Sequence, residues 1–180
     1  MKRKHADRIG DTAFRGMAAW FRIADRFFPK ADRLSGFGIR DGETVVDYGC
    51  GPGRYVEEAS RRVGPSGTVY AVDIHELAVR AVEEKIRAAG LSNVVPVLAE
   101  GYSCGVPGAA ADRLWALDMF HMVSDPKALL AELRRIAKDG AVLILEDGHQ
   151  SRRKTRRKLS SFPGWKIESE ERRHVRLIAS

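Results

Sequence analysis

The stretch Asp47-Tyr-Gly-Cys-Gly-Pro-Gly53 follows the apolar run Thr44–Val46 and precedes a helix-like period from Arg54 to Val63. Three glycines within five residues cost backbone entropy unless a turn needs positive φ or another group must approach the main chain. Placed between a strand and a helix, such a turn aims bare N–H groups and the helix N-terminus at a ligand. The chain is thereby committed to a strand, a tight turn and a helix around a binding crevice.

The rest of the sequence continues in the same rhythm. The strand-like segments GTVYAVDI, NVVPVLAE, DRLWALDM and AVLILE alternate with helical periods. One helix carries Val79, Val82, Ile86 and Ala89 on one face and ends at Gly90. Another is capped by Asp125, begins with Pro126 and turns Leu129, Leu130, Leu133 and Ile136 inward. Alternation of this kind implies right-handed βαβ crossovers and an open sheet covered on both faces. The tail, GWKIESEERRHVRLIAS, predicts a closing antiparallel hairpin. The expected fold is α/β: a doubly wound, Rossmann-like, mostly parallel sheet of seven strands, with an N-terminal helical segment. That segment carries Phe14, Met17, Phe21, Ala24 and Phe28 at spacings of three and four, flanked by Trp20 and Phe27, with Asp11 as cap and Pro29 as stop. At 180 residues one domain is expected, with residues 1–40 as a helical lid and 41–180 as the binding core.

The ligand is narrowed by what the turn lacks. The dinucleotide fingerprint G-x-G-x-x-G fails, because Arg54 or Val56 stands where its third glycine belongs. Asp47 sits inside the strand end, where a carboxylate repels a pyrophosphate but suits an ammonium group. Asp73, at the end of the next strand, occupies the place of an acid that holds ribose hydroxyls.

At these residues the chain resembles the class I S-adenosylmethionine-dependent methyltransferases, especially the small-molecule group that includes the ubiquinone/menaquinone-biosynthesis type. The resemblance runs from about Thr44 to the C-terminus, through VLAEGY and the segment from Ala111 to Asp147. It implies S-adenosyl-L-methionine as cofactor. Asp47, Tyr48, Gly49, Cys50, Gly51 and Gly53 would border its methionine and ribose portions. Asp73 would hold the ribose, Ile74 cover an adenine face, Glu100 and Gly101 mark the adenine edge, and Leu117 approach the methionine. The implied reaction moves a methyl group to a small acceptor, apolar or aromatic, against a lid formed by Phe14, Trp20 and Phe21.

No catalytic residue follows from the resemblance, since in-line methyl transfer depends mainly on positioning. His121, after the fourth strand, and His149, past the fifth, are candidates for a base and for the substrate pocket. LDMF replaces the [DNS]-P-P-[YFW] motif of base-amino methylation, and no Pro-Cys nucleophile pair is present. Cys50 and Cys104 are too few for a disulfide framework, which fits a reducing cytoplasm. Neither a secretory signal nor a membrane span is expected. Asp118, Glu146 and Asp147 resemble the carboxylates of metal-assisted catechol-type O-methyltransferases, but the spacing from Asp112 is one residue long, so no metal is expected.

The net charge of +7 is concentrated in Lys2–Lys4 and in Arg152, Arg153, Lys154, Arg156, Arg157 and Lys158. Helical stacking of the second run would bring like charges together at i,i+4, which is unfavourable. That segment is expected to be a mobile loop or to be ordered by an anionic partner; the alternative functions are methylation of an RNA acceptor guided by this run, or a metal-assisted catechol-type O-methylation.

Overall fold

The computed structural model describes residues 7–27 and 33–180. Phe28, Pro29 and Lys2–Lys4 lie outside the described residues, as do the side chains of Ala24 and Phe27. Seven strands form one sheet: β1 (Thr44–Tyr48), β2 (Thr68–Asp73), β3 (Val94–Leu98), β4 (Ala111–Ala116), β5 (Ala137–Glu146), β6 (Trp165–Glu170) and β7 (His174–Ala179). Their order is β3-β2-β1-β4-β5-β7-β6. The first five are parallel, β7 runs antiparallel to β5, and β6 pairs with β7 as the expected hairpin.

Side chains alternate between the faces with the period of two that a strand imposes. Val46, Leu114, Leu143 and Leu145 meet Leu129, Leu130 and Leu133 of α4 (Pro126–Ile136) on one face. Val45, Val69, Ala71, Trp115 and Ile144 meet Val56, Ala59 and Val63 of α2 (Val56–Val63) and Val82 of α3 (Glu76–Ala89) on the other. All of the Leu side chains named here are fully buried. Helix ends behave as the sequence predicts at two points. The Asp125 carboxylate accepts the Ala128 N–H at 3.0 Å, and Gly90 takes a left-handed conformation at the end of α3.

Boundaries differ where local bonding overrides the pattern. The glycine turn absorbs Arg54 and Tyr55, so α2 begins at Val56 rather than Arg54. Strand β5 starts at Ala137, directly after α4, with an irregularity before Val142 that the positive φ of Gly140 accommodates. α1 spans Asp11–Phe27 and lies across the carboxyl ends of the strands. Among the described residues no helix is long and apolar enough to cross a membrane.

The basic run corrects the sequence expectation most clearly. It is not a loop but a helix, α5 (Arg152–Leu159), and three of its six cations are bound within the chain. Arg152 binds Asp147 through two bonds of 2.8 and 3.0 Å and the Glu171 carbonyl at 2.7 Å. Arg156 pairs with Glu170 at 2.6 Å. The Lys158 ammonium donates to the carbonyls of Phe120 and Val123 at 2.7 and 3.0 Å, capping the 3-10 turn after β4. Thr155 and Leu159 are buried, so the short helix also has an inward face. Of the six cations in the run, Arg153, Lys154 and Arg157 are exposed without an ion pair among the described residues. The like-charge repulsion along α5 is offset by acids and carbonyls that come from other elements, which the local sequence does not contain.

Lys158→Met should therefore cost about 1.5–3 kcal/mol in urea unfolding, because several carbonyls lose one charged donor. Arg157→Ala should stay within about 0.5 kcal/mol. Equal losses in the two variants would show that α5 acts through a diffuse field and not through these contacts.

Candidate active site

A cavity of about 600 Å³ opens at the carboxyl ends of β1, β2, β4 and β5, the place where open α/β sheets bind ligands. Its floor is the glycine turn. Gly49, Gly51 and Gly53 all have positive φ, at 81°, 53° and 68°. Gly49 and Cys50 donate to the Val72 carbonyl, which fastens the turn to β2. Asp73 fastens it a second time: one carboxylate oxygen accepts the Gly51 N–H at 2.9 Å and the other the His75 N–H at 2.8 Å. Burial raises the Asp73 pKa, while these two N–H groups act in the opposite direction.

Asp47 is the most unusual group. It is 2% exposed, and its Oδ2 is buried without a hydrogen-bond partner. Loss of hydration lifts its pKa to about 7, with the nearby Asp73 charge adding to the effect. The indole N–H of Trp115, its register partner on β4, acts against this, yet lies outside hydrogen-bonding geometry and is itself unpaired. A buried carboxyl at a cavity wall with one unpaired oxygen is a site for a donor that the protein does not supply.

α1 forms one wall. Phe14, Met17 and Phe21 face the cavity, and the Phe14 ring lies 4.4 Å from the His75 ring. The Arg54 guanidinium sits 4.9 Å over the Phe21 ring, joining the wall to the glycine turn. Trp20 does not belong to this wall. It is 66% exposed, because six helical positions from Phe14 carry it well off the face that Phe21, at seven positions, shares. Arg8 bonds Glu76 at 2.7 Å, and Tyr102 donates to Asp7, so the residues before α1 are held on both sides of the opening.

The other expected residues divide in the same way. Tyr48, Cys50, Ile74, Gly101 and Leu117 line the cavity. Tyr48 also donates to the Tyr102 carbonyl at 2.5 Å. Cys50 is buried, and burial drives its thiol pKa well up, which fits packing and not nucleophilic chemistry. Gly53 is turned away from the cavity. A Cβ there would come within 2.9 Å of Val82 Cγ2, so this glycine lets α2 and α3 pack closely. Glu100 is exposed, outside the cavity lining, and forms a small bridge with Ser103.

Past β4 and β5, Asp118 and His149 reach the cavity edge, with the His121 and His149 rings edge-on at 4.9 Å. Glu146 is held by Arg33 and accepts the Asp118 N–H at 3.1 Å, while Asp147 is occupied by Arg152. Two of the three carboxylates considered for a catechol-type metal, Glu146 and Asp147, are thus held by arginines, while Asp118 faces His121 and His149. His75, Met119 and Tyr102 were not anticipated as site residues. His75 caps α3 by accepting the Leu77 N–H at 3.2 Å, an unfavoured residue type in a position that the strand–helix junction marks. Met119 lies over Gly49, with its Cγ 3.0 Å from where a Cβ would be.

Comparison with known proteins agrees with this geometry. The nocamycin O-methyltransferase of Saccharothrix syringae is 35% identical over 68% of the chain and 41% of that protein. A demethylmenaquinone methyltransferase of Geobacillus stearothermophilus is 25% identical over 78% of the chain and 56% of that protein. The chain thus spans about half the length of these curated relatives. A solved SAM-dependent methyltransferase from Aquifex aeolicus superposes with a TM-score of 0.77 at 25% identity, covering 96% of this chain and 98% of that one. Residues 46–145, from β1 to the end of β5, match the methyltransferase domain family, and the chain belongs to that family.

Proposed function

We propose that the protein transfers a methyl group from S-adenosylmethionine to a small acceptor with an apolar or aromatic body. The observation that carries this reading is Asp47: a buried carboxyl with one unpaired oxygen beside a bare glycine turn. The cofactor implied by the family carries an ammonium group, which satisfies that oxygen where a diphosphate would be repelled. Asp47 would hold the amino group. Asp73 would receive the ribose hydroxyls on the lone pairs left by Gly51 and His75. Ile74 and Gly101 would lie toward the adenine, and Leu117 and Met119 toward the methionine chain.

When bound, the cofactor supplies an electrophilic methyl group on a positively charged sulfur. The residues of this chain then position and exclude water. Phe14, Met17, Phe21, Met119 and Met122 give the cavity an apolar side suited to an aromatic or aliphatic acceptor. Residues 7–27 act as the lid over it. The groups able to accept or polarise an acceptor O–H are Asp118, His121 and His149. An RNA acceptor has less support, since Arg152, Arg156 and Lys158 are bound within the chain.

The Asp47 reading has a pH signature. The carboxyl is protonated below about 7 in the unliganded fold and must ionise to hold an ammonium group. In the unfolded chain it ionises at the ordinary Asp value, so its contribution to unliganded stability falls as pH rises from about 4 to about 7. Cofactor affinity should run the other way, rising by up to about tenfold per pH unit below 7 and levelling above it. Calorimetry on Asp47→Asn should give weaker binding and no such step; an unchanged step would place the ammonium elsewhere. Asp73→Ala should weaken binding by about 1.5–3 kcal/mol, roughly ten- to a hundredfold, through lost ribose bonds and a loosened turn. Unaltered affinity in that variant would remove the ribose assignment.

A further inference from the structure

The structure assigns a second ligand site at the cavity edge: Asp118, His121 and His149 form a three-donor site for a divalent transition metal of the zinc type. The Asp118 carboxylate lies 4.0 Å from His121 Nδ1 and 3.9 Å from His149 Nε2. One donor atom from each of the three falls within 4.8 Å of the others. Donors around a tetrahedral ion with bonds of ~2.0–2.1 Å stand roughly 3.3 Å apart, so small side-chain rotations close the set.

Three further features favour a bound cation over a simple hydrogen-bonded cluster. His121 Nδ1 is buried and has no hydrogen-bond partner. That nitrogen lies against Gly148, where a Cβ would come within 2.2 Å of it, so a glycine at this position is what gives the imidazole its place. Asp118 holds φ at 51°, costly for a residue other than glycine, with its N–H bound by Glu146. Strain of this kind at a cavity edge, together with an unpaired imidazole nitrogen, marks residues positioned for a ligand that joins them.

The donor chemistry selects the metal. Two imidazoles and one carboxylate suit zinc, iron(II) or cobalt(II), whereas magnesium and calcium prefer all-oxygen sets. Three protein ligands leave one coordination position, and Asp118 and His149 both line the cavity, so that position faces the acceptor. Metal binding stands apart from the methyltransferase reading; the use of the metal rests on it. There the cation would take an acceptor hydroxyl and lower its pKa, and the proton would leave to solvent. The acceptor oxygen would then form the C–O bond as the C–S bond breaks, with that electron pair staying on sulfur.

The test is equilibrium dialysis of chelator-treated protein against Zn²⁺ in excess Mg²⁺, with Co²⁺ absorption as a second readout of a histidine-bearing site. The expected result is one zinc per chain and a tetrahedral cobalt spectrum. His149→Ala, at a side chain 82% exposed and so harmless to folding, should weaken binding more than about tenfold, as should Asp118→Asn. His174→Ala, at a histidine outside the cluster, should leave it unchanged. No zinc above background, or zinc retained equally by His149→Ala, overturns the proposal. Calorimetry with S-adenosylmethionine on the same samples separates the two readings: zinc bound without the cofactor would leave the metal site standing and remove the methyltransferase role.

Discussion

The site depends on a contact between two backbone turns through one carboxylate. Asp73 takes the N–H of Gly51 with one oxygen and that of His75 with the other, so a single side chain sets the glycine turn and the start of α3. With the turn fixed, Gly49 and Gly51 keep positive φ, and the buried Asp47 carboxyl beside them is left with one unpaired oxygen. The unpaired oxygen is destabilising in the unliganded fold, and the ammonium group of the proposed ligand would relieve it. Binding capacity here follows from a polar group left unsatisfied by its own chain.

The same logic operates with opposite outcome at the other carboxylates near the strand ends. Glu146 and Asp147 are matched by Arg33 and Arg152, which come from distant parts of the chain. Pairing fixes the loops after β4 and β5, while His121 Nδ1 and Gln150 Oε1 beside them stay without a hydrogen-bond partner among the described residues. α5 contributes to this order from outside. Its Lys158 binds the carbonyls of the turn that carries His121, so a segment with no role in its own sequence pattern becomes a brace for the site.

Much of the architecture was legible because its signals are local. The alternation of apolar runs and helical periods, the Asp125–Pro126 start of α4 and the Gly90 end of α3 reflect hydrogen bonding and burial within a few residues. The glycine turn with Asp47 and Asp73 was legible for the same reason: strand end, turn and helix start are contiguous. Errors fell where an element is decided by remote partners. The charges of α5 read as repulsive until Asp147, Glu170 and the carbonyls of Phe120 and Val123 are placed beside them. Trp20 read as part of the lid with Phe14 and Phe21, but among the described aromatic side chains of α1 only Phe14 and Phe21 face the cavity.

By itself, the sequence determined the βα rhythm, the order of elements and a glycine turn with an acid at the strand end before it, since these follow from periodicity and turn chemistry along the chain. Only the tertiary structure decided which groups were left unpaired. Hydrogen-bond satisfaction is settled between residues as far apart as Arg33 and Glu146 or Lys158 and Phe120. Whether a buried polar atom is a structural bond or a binding site depends on those distant partners, which no local pattern records.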